Sequence, residues 1–187
     1  QAPVIRINAL NLVAGIMDAG DSAQVELELI NLGGAPSGPI SITALEHASV
    51  GFTENILLCP TMNVDGIGTA EGTLGLIFSD QIFPAEKITL QFECIGANST
   101  DTLQVELTVG EPSRYGPSQA DEYGYRMFDN LDLGYTKSMV YDWIEIDPDF
   151  GGLGTSIPMT DSDDEEDASS VINLPFPVTY YGETYTT

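Results

Sequence analysis

Between Gln24 and Leu29 the chain alternates strictly. Val25, Leu27 and Leu29 point one way, and Gln24, Glu26 and Glu28 the other. The same rhythm returns twice: Ile88, Leu90, Phe92 and Cys94 against Thr89, Gln91 and Glu93, then Leu103, Val105, Leu107 and Val109 against Gln104, Glu106 and Thr108. A period of two predicts strands with one face on a core and one in water. Further strands are predicted near Val4–Val13, Ile40–Leu45, Phe52–Leu58 and Gly72–Phe78. Turn-forming residues separate them at Asp18–Asp21, Asn31–Gly34, Asp65–Gly66 and Asn98–Asp101. A helical period is not sustained anywhere. About seven short strands in ~110 residues predict an all-β, immunoglobulin-like β-sandwich over residues 1–110, although the Cys-Trp-Cys core of an antibody domain is missing.

Composition changes after that point. Residues 1–110 contain four Phe and no Tyr or Trp, whereas all eight Tyr and Trp143 follow. The Pro-, Ser- and Gly-containing stretch 111–119 (EPSRYGPSQ) reads as a linker. Residues 120–187 then form a second β-rich domain. Within it Ser138–Ile146 (SMVYDWIEI) alternates with large apolar groups on both faces, which predicts a strand covered on both sides. Pro175–Thr187 reads as strand, turn, strand. The last strand would be an exposed edge, so the second domain is expected to be truncated or completed by another chain. The start at Gln1 reads as a mature product or an excised piece.

Charge narrows the partners. Twenty-nine acids and five bases in 187 residues give a formal net charge of −24. Arg6, Lys87, Arg114, Arg126 and Lys137 are scattered, so the basic stripe that phosphate binding needs is missing and nucleic acid is excluded as a partner. No apolar run approaches the ~18 residues that predict a membrane-spanning helix. With 42% hydrophobic residues the chain is too apolar for a disordered acidic tail.

Chemistry-bearing residues are few. His47 is the only histidine and has no obvious catalytic partner nearby in sequence. Cys59 and Cys94 form neither a Cys-x-x-Cys nor a Cys/His cluster, which argues against zinc. The extracellular look of the composition favours one disulfide between them over two buried thiols. Calcium is the candidate cofactor. Asp147 and Asp149 open a D-x-D-x-G loop start, and Asp129 and Asp132 could bring further oxygens to the same ion. Asp161, Asp163, Asp164 and Asp167 could bind weakly as a second group, and the alternative is that all of these are solvated loop acids. Asn98 begins an N-x-T sequon, and Ser22 and Thr102 sit in Asp-Ser/Thr-apolar triplets that suit O-glycosylation. Tyr141 and Trp143 either pack between layers or stack on sugar rings.

The segments Asp121–Tyr125, Asp129–Asn130, Asp132, Tyr135, Tyr141–Asp147, Gly151–Thr155 and Leu174–Tyr185 together resemble the region after the catalytic domain in secreted gingipain-type cysteine peptidases and related type IX-secreted surface proteins of Bacteroidetes-type bacteria. Met139 departs from that pattern, which has proline there. The resemblance covers residues 111–187 well and 1–110 only by pattern. It implies a non-catalytic, adhesion-type module of an extracellular or cell-surface protein, whose peptidase residues would lie in a domain this chain lacks. Its implied partners are other domains of the same protein or identical subunits, with glycans or cell-surface components as further candidates. A subunit of an extracellular filament built by strand exchange is the alternative expectation.

Overall fold

The computed structural model describes residues 2–97, 99–159 and 168–187. It is an all-β molecule of two compact units, residues 1–119 with 126–138, and residues 120–125 with 139–187. Residues 126–138, expected in the second domain, belong to the first unit.

The first unit is a two-layer antiparallel sandwich. One sheet runs β1 (Ile5–Gly15), β2 (Ser22–Asn31), β7 (Leu74–Phe78), β4 (Val50–Glu54), with β6 (Ile67–Thr69) also pairing with β2. The other runs β5 (Ile56–Cys59), β3 (Ile40–Ala44), β8 (Glu86–Ile95), β9 (Thr100–Val109). The orders β1-β2-β7-β4 and β3-β8-β9 are those of an immunoglobulin constant-type sandwich, with β5 added outside β3. The period-two residues do what their phase predicts: Val25, Leu27, Leu29, Leu90 and Phe92 are essentially inaccessible between the sheets. Each fully buried Leu or Phe side chain contributes about 1.5–3 kcal/mol relative to exposure.

Three details refine the expected strands. β1 lacks clean alternation because its register shifts twice, between Ile7 and Ala9 and between Leu12 and Ala14. Each bulge resets the phase, so Ile5, Ile7 and Leu10 all meet the core. The expected single strand Phe52–Leu58 is two: β4 pairs with β7 and β5 with β3, the chain changing sheets around Asn55, whose carbonyl accepts from Ala44 N. β6 escapes a hydrophobic pattern because its inward residue is Gly68. A Cβ there would lie 2.7 Å from Met62 Cγ and 2.9 Å from Cys59 Sγ.

In the second unit the hairpin expected over Pro175–Thr187 forms from β10 (Val178–Tyr180) and β11 (Glu183–Tyr185). Ser138–Ile146 is not a strand. Tyr141, Trp143, Ile144 and Ile146 are all exposed, Tyr141 by 86%, rather than covered on both sides. Alternation gives a segment the capacity to join a sheet, but a strand requires a neighbouring backbone. Among the described residues no strand pairs with it.

Candidate functional site

The second unit gathers four tyrosines around one carboxylate. Asp121 starts a tight loop: its Oδ1 accepts from Tyr123 N at 2.9 Å and Tyr125 N at 3.0 Å, and its own N–H donates to Tyr125 O at 3.0 Å. Gly124, at φ 86°, supplies the left-handed residue between the two tyrosines. Hairpin β10–β11 turns through Tyr181 and Gly182, at φ 47° and 81°, as a type I′ turn requires. A left-handed tyrosine costs about 1–2 kcal/mol. Contacts with the Asp121 loop hold it there. The Tyr125 hydroxyl donates to Thr179 O at 3.4 Å and lies 3.3 Å from Tyr181 N, which donates to it.

Two ring pairs meet edge to face. Tyr180 and Tyr181 stand 4.5 Å apart at 87°, and Tyr123 and Tyr181 5.1 Å apart at 78°. Tyr125 lies 5.0 Å from Tyr181 and 5.7 Å from Tyr180. All four remain exposed, by 41–56%. The Tyr181 phenol, donating to the Asp121 carboxylate and lying beside its charge, is pushed up to about 12. Desolvation pushes Asp121 upward, but the hydrogen bonds from Tyr181, Tyr125, Tyr123 and Gly124 together outweigh it and hold its carboxyl below the usual range. At neutral pH Asp121 is therefore a carboxylate and Tyr181 a neutral phenol.

The first unit has a different aromatic group. Phe83 stacks on Tyr135 at 5.2 Å and meets Phe128 edge-on at 5.8 Å. Arg126 sits over the Phe83 ring, with Cζ 4.2 Å from its centroid, Nη1 donating to Ser118 O at 3.1 Å, and Nη2 3.8 Å from Glu86. This packing ties residues 126–138 to the sandwich.

The sequence-derived acids are divided. Asp129 and Asp132 share one turn in the first unit. Asp132, 4% exposed, accepts from Asp129 N at 2.7 Å, and Asp129 Oδ1 accepts from Leu131 N at 2.7 Å. Asp147 caps a short 3-10 helix, Pro148–Phe150, in the second unit, where its Oδ1 accepts from Asp149 N at 2.9 Å. Gly152 N donates to Asp147 O and Gly154 N to Ile146 O, folding the glycine loop back on Ile146. Among the described residues no group of three or more His, Cys, Asp or Glu is placed to hold a metal ion. The run Asp161–Asp167 lies outside the described residues, as does Asn98. Ser22 and Thr102 are exposed, but they sit within β2 and β9 rather than on turns. His47 is half-buried in a turn, its Nδ1 accepting from Ser49 N at 3.1 Å.

The expected disulfide is not formed. Cys59 and Cys94 are free, buried thiols, and the register explains why. Cys59 pairs with Ile40 and Cys94 with Ile42, on opposite flanks of β3. Two inter-strand spacings put their Cα atoms roughly 9.5 Å apart or more, beyond the ~6.8 Å that a disulfide spans. Burial, with added charge from Asp101, Cys59 and Glu93, pushes the Cys94 thiol up to about 11. Burial and then the charge of Glu71 raise Cys59. Protonated, buried thiols are poor nucleophiles. The raised pKa has a thermodynamic sign. Below pH 9 both folded and unfolded states hold the proton; between about 9 and 11 only the folded state does, so stability falls as the pH rises. Urea unfolding across that window should lose about 2–3 kcal/mol that a Cys94→Ala variant does not lose, over and above its constant cavity cost.

No family model matches the sequence, and no curated protein matches it. Among solved structures, the chain is similar to a FixG-related protein from Vibrio parahaemolyticus (TM-score 0.34, 11% identity) over 59% of this chain and 97% of that one. It is also similar to the alkylpurine DNA glycosylase AlkC from Pseudomonas fluorescens, solved bound to DNA containing an abasic site analog (TM-score 0.28, 9% identity), over 55% of this chain and 30% of that one. Likeness at this level carries no functional inference.

Proposed function

We propose that the chain is a non-catalytic structural and binding module of a secreted or cell-surface multidomain protein. The observation that carries this reading is how its chemistry-bearing side chains are used. Cys59 and Cys94 fill the sandwich core, and His47 accepts a turn hydrogen bond. The large aromatic side chains of the second unit instead face solvent, where exposed apolar surface serves recognition. The resemblance of residues 111–187 to segments following the catalytic domain of gingipain-type peptidases supports the same placement. Incubating the full chain with peptide and glycan libraries and analysing them by mass spectrometry should reveal no turnover. Time-dependent cleavage would overturn the reading.

Strand exchange in an extracellular filament is the second reading. It is favoured by the exposed Met139–Ile146 segment, which alternates like a strand and lacks a partner strand among the described residues. Light scattering that finds only monomers across a wide concentration range would remove it.

A further inference from the structure

We propose that the tyrosine cluster of the second unit is a docking site for arginine side chains of a basic polypeptide. This deepens the binding-module reading and rests on it. Tyr181 touches Tyr123 and Tyr180 at near-perpendicular angles and Tyr125 at a tilt of 39°, and all four rings remain open to solvent. An edge-to-face arrangement leaves ring faces pointing in different directions, so a flat guanidinium can lie on one face while neighbouring rings flank it. The aromatic quadrupole attracts a cation on that face. The phenol of Tyr181 is hydrogen-bonded to the Asp121 carboxylate, which places a negative charge beside the ring and strengthens the attraction.

Charge selects the occupant. Residues 120–125 and 139–187 contain thirteen acids and no Lys, Arg or His. The field over this unit therefore attracts cations and repels anionic glycans, phosphates and nucleic acid. It also disfavours a second copy of this chain, which brings −24 of the same sign. The chain's own arginines supply an internal precedent in the first unit. Arg126 stacks on Phe83 at 4.2 Å and Arg114 on Tyr115 at 4.9 Å, so two of the three arginines rest on aromatic faces. Arginine is favoured over lysine because its planar, weakly hydrated head both stacks and keeps its edge donors free for the surrounding carboxylates.

The test uses the full chain titrated with a short peptide of alternating glycine and arginine, its lysine counterpart of equal charge, and neutral cellohexaose. Calorimetry should detect the arginine peptide, with the lysine peptide bound several-fold more weakly. The double variant Tyr123→Leu/Tyr180→Leu should weaken the arginine peptide by roughly tenfold at unchanged net charge, while Tyr180→Phe, which keeps the ring, should bind within about twofold of the parent. Aromatic NMR signals of the unaltered protein should shift at these tyrosines on titration, a readout independent of how the leucine variants fold. Equal binding by the double variant, unshifted tyrosine signals, binding of cellohexaose without the arginine peptide, or no binding at all would each overturn the proposal. Peptide cleavage in the same titration would instead sink the non-catalytic reading.

Discussion

Asn31→Leu should destabilise the sandwich by about 3–5 kcal/mol, read as a lowered urea midpoint with an unchanged slope. Asn31 is fully buried at the end of β2, and its amide is satisfied on both sides. Oδ1 accepts from Val4 N at 3.1 Å and Gly33 N at 3.0 Å, while Nδ2 donates to Ala35 O at 2.8 Å and Asn63 O at 3.2 Å. One side chain thus fastens the N-terminal segment, the 32–35 turn and the 61–66 loop to a single strand end. Leucine matches it in size but leaves two donors and two acceptors without partners. Water can reach the partly buried ones, which is why the cost stays below four full desolvation penalties. Asn31→Asp separates geometry from polarity. It keeps Oδ1 but turns the other atom into an acceptor facing two carbonyls, so it should also destabilise, and less so at acid pH where the carboxyl regains a proton to donate.

Phe92→Ala should cost a similar ~3–5 kcal/mol, whereas Trp143→Ala should change stability by no more than about 0.5 kcal/mol. Phe92 is 1% exposed at the centre of β8; Trp143 is 69% exposed, its indole N–H reaching only Glu145 at 3.4 Å. Removing Phe92 loses its transfer free energy and leaves a cavity in a core that relaxes only partly. If Trp143→Ala proved as damaging as Phe92→Ala in parallel urea titrations, the second unit would have an apolar core of its own and the account given of it would fail.

The two aromatic residues mark where sequence reading succeeds and where it stops. Phe92 shares its phase with Ile88, Leu90 and Cys94, and phase alone decides which face of a strand is buried. Trp143 sits in an equally regular alternation, but periodicity says nothing of whether a neighbouring backbone is present. Cys59 and Cys94 show the same boundary: the inward direction of Cys94 was legible, while the lateral separation of the two by β3 depends on register, which single-strand patterns do not encode. Gly68 hid β6 because the residue facing the core has no side chain. Asn31 was legible only as a turn residue; two of its four bonds reach segments more than 25 positions away, at Val4 and Asn63. The tyrosine cluster had a signal that went unused, the pairing of Tyr with Gly at 123–125 and again at 180–182, since both pairs suit tight turns that present aromatic rings.

The absence of basic residues between Ser138 and Thr187 has a consequence for proteolysis. A trypsin-like proteinase holds the residue before the scissile bond in a pocket whose aspartate demands Lys or Arg. However open Met139–Ile157 lies, that specificity finds no bond to cut between Ser138 and Thr187. Trypsin would leave this stretch uncut, and its degradation falls to acid-directed or aromatic-directed enzymes.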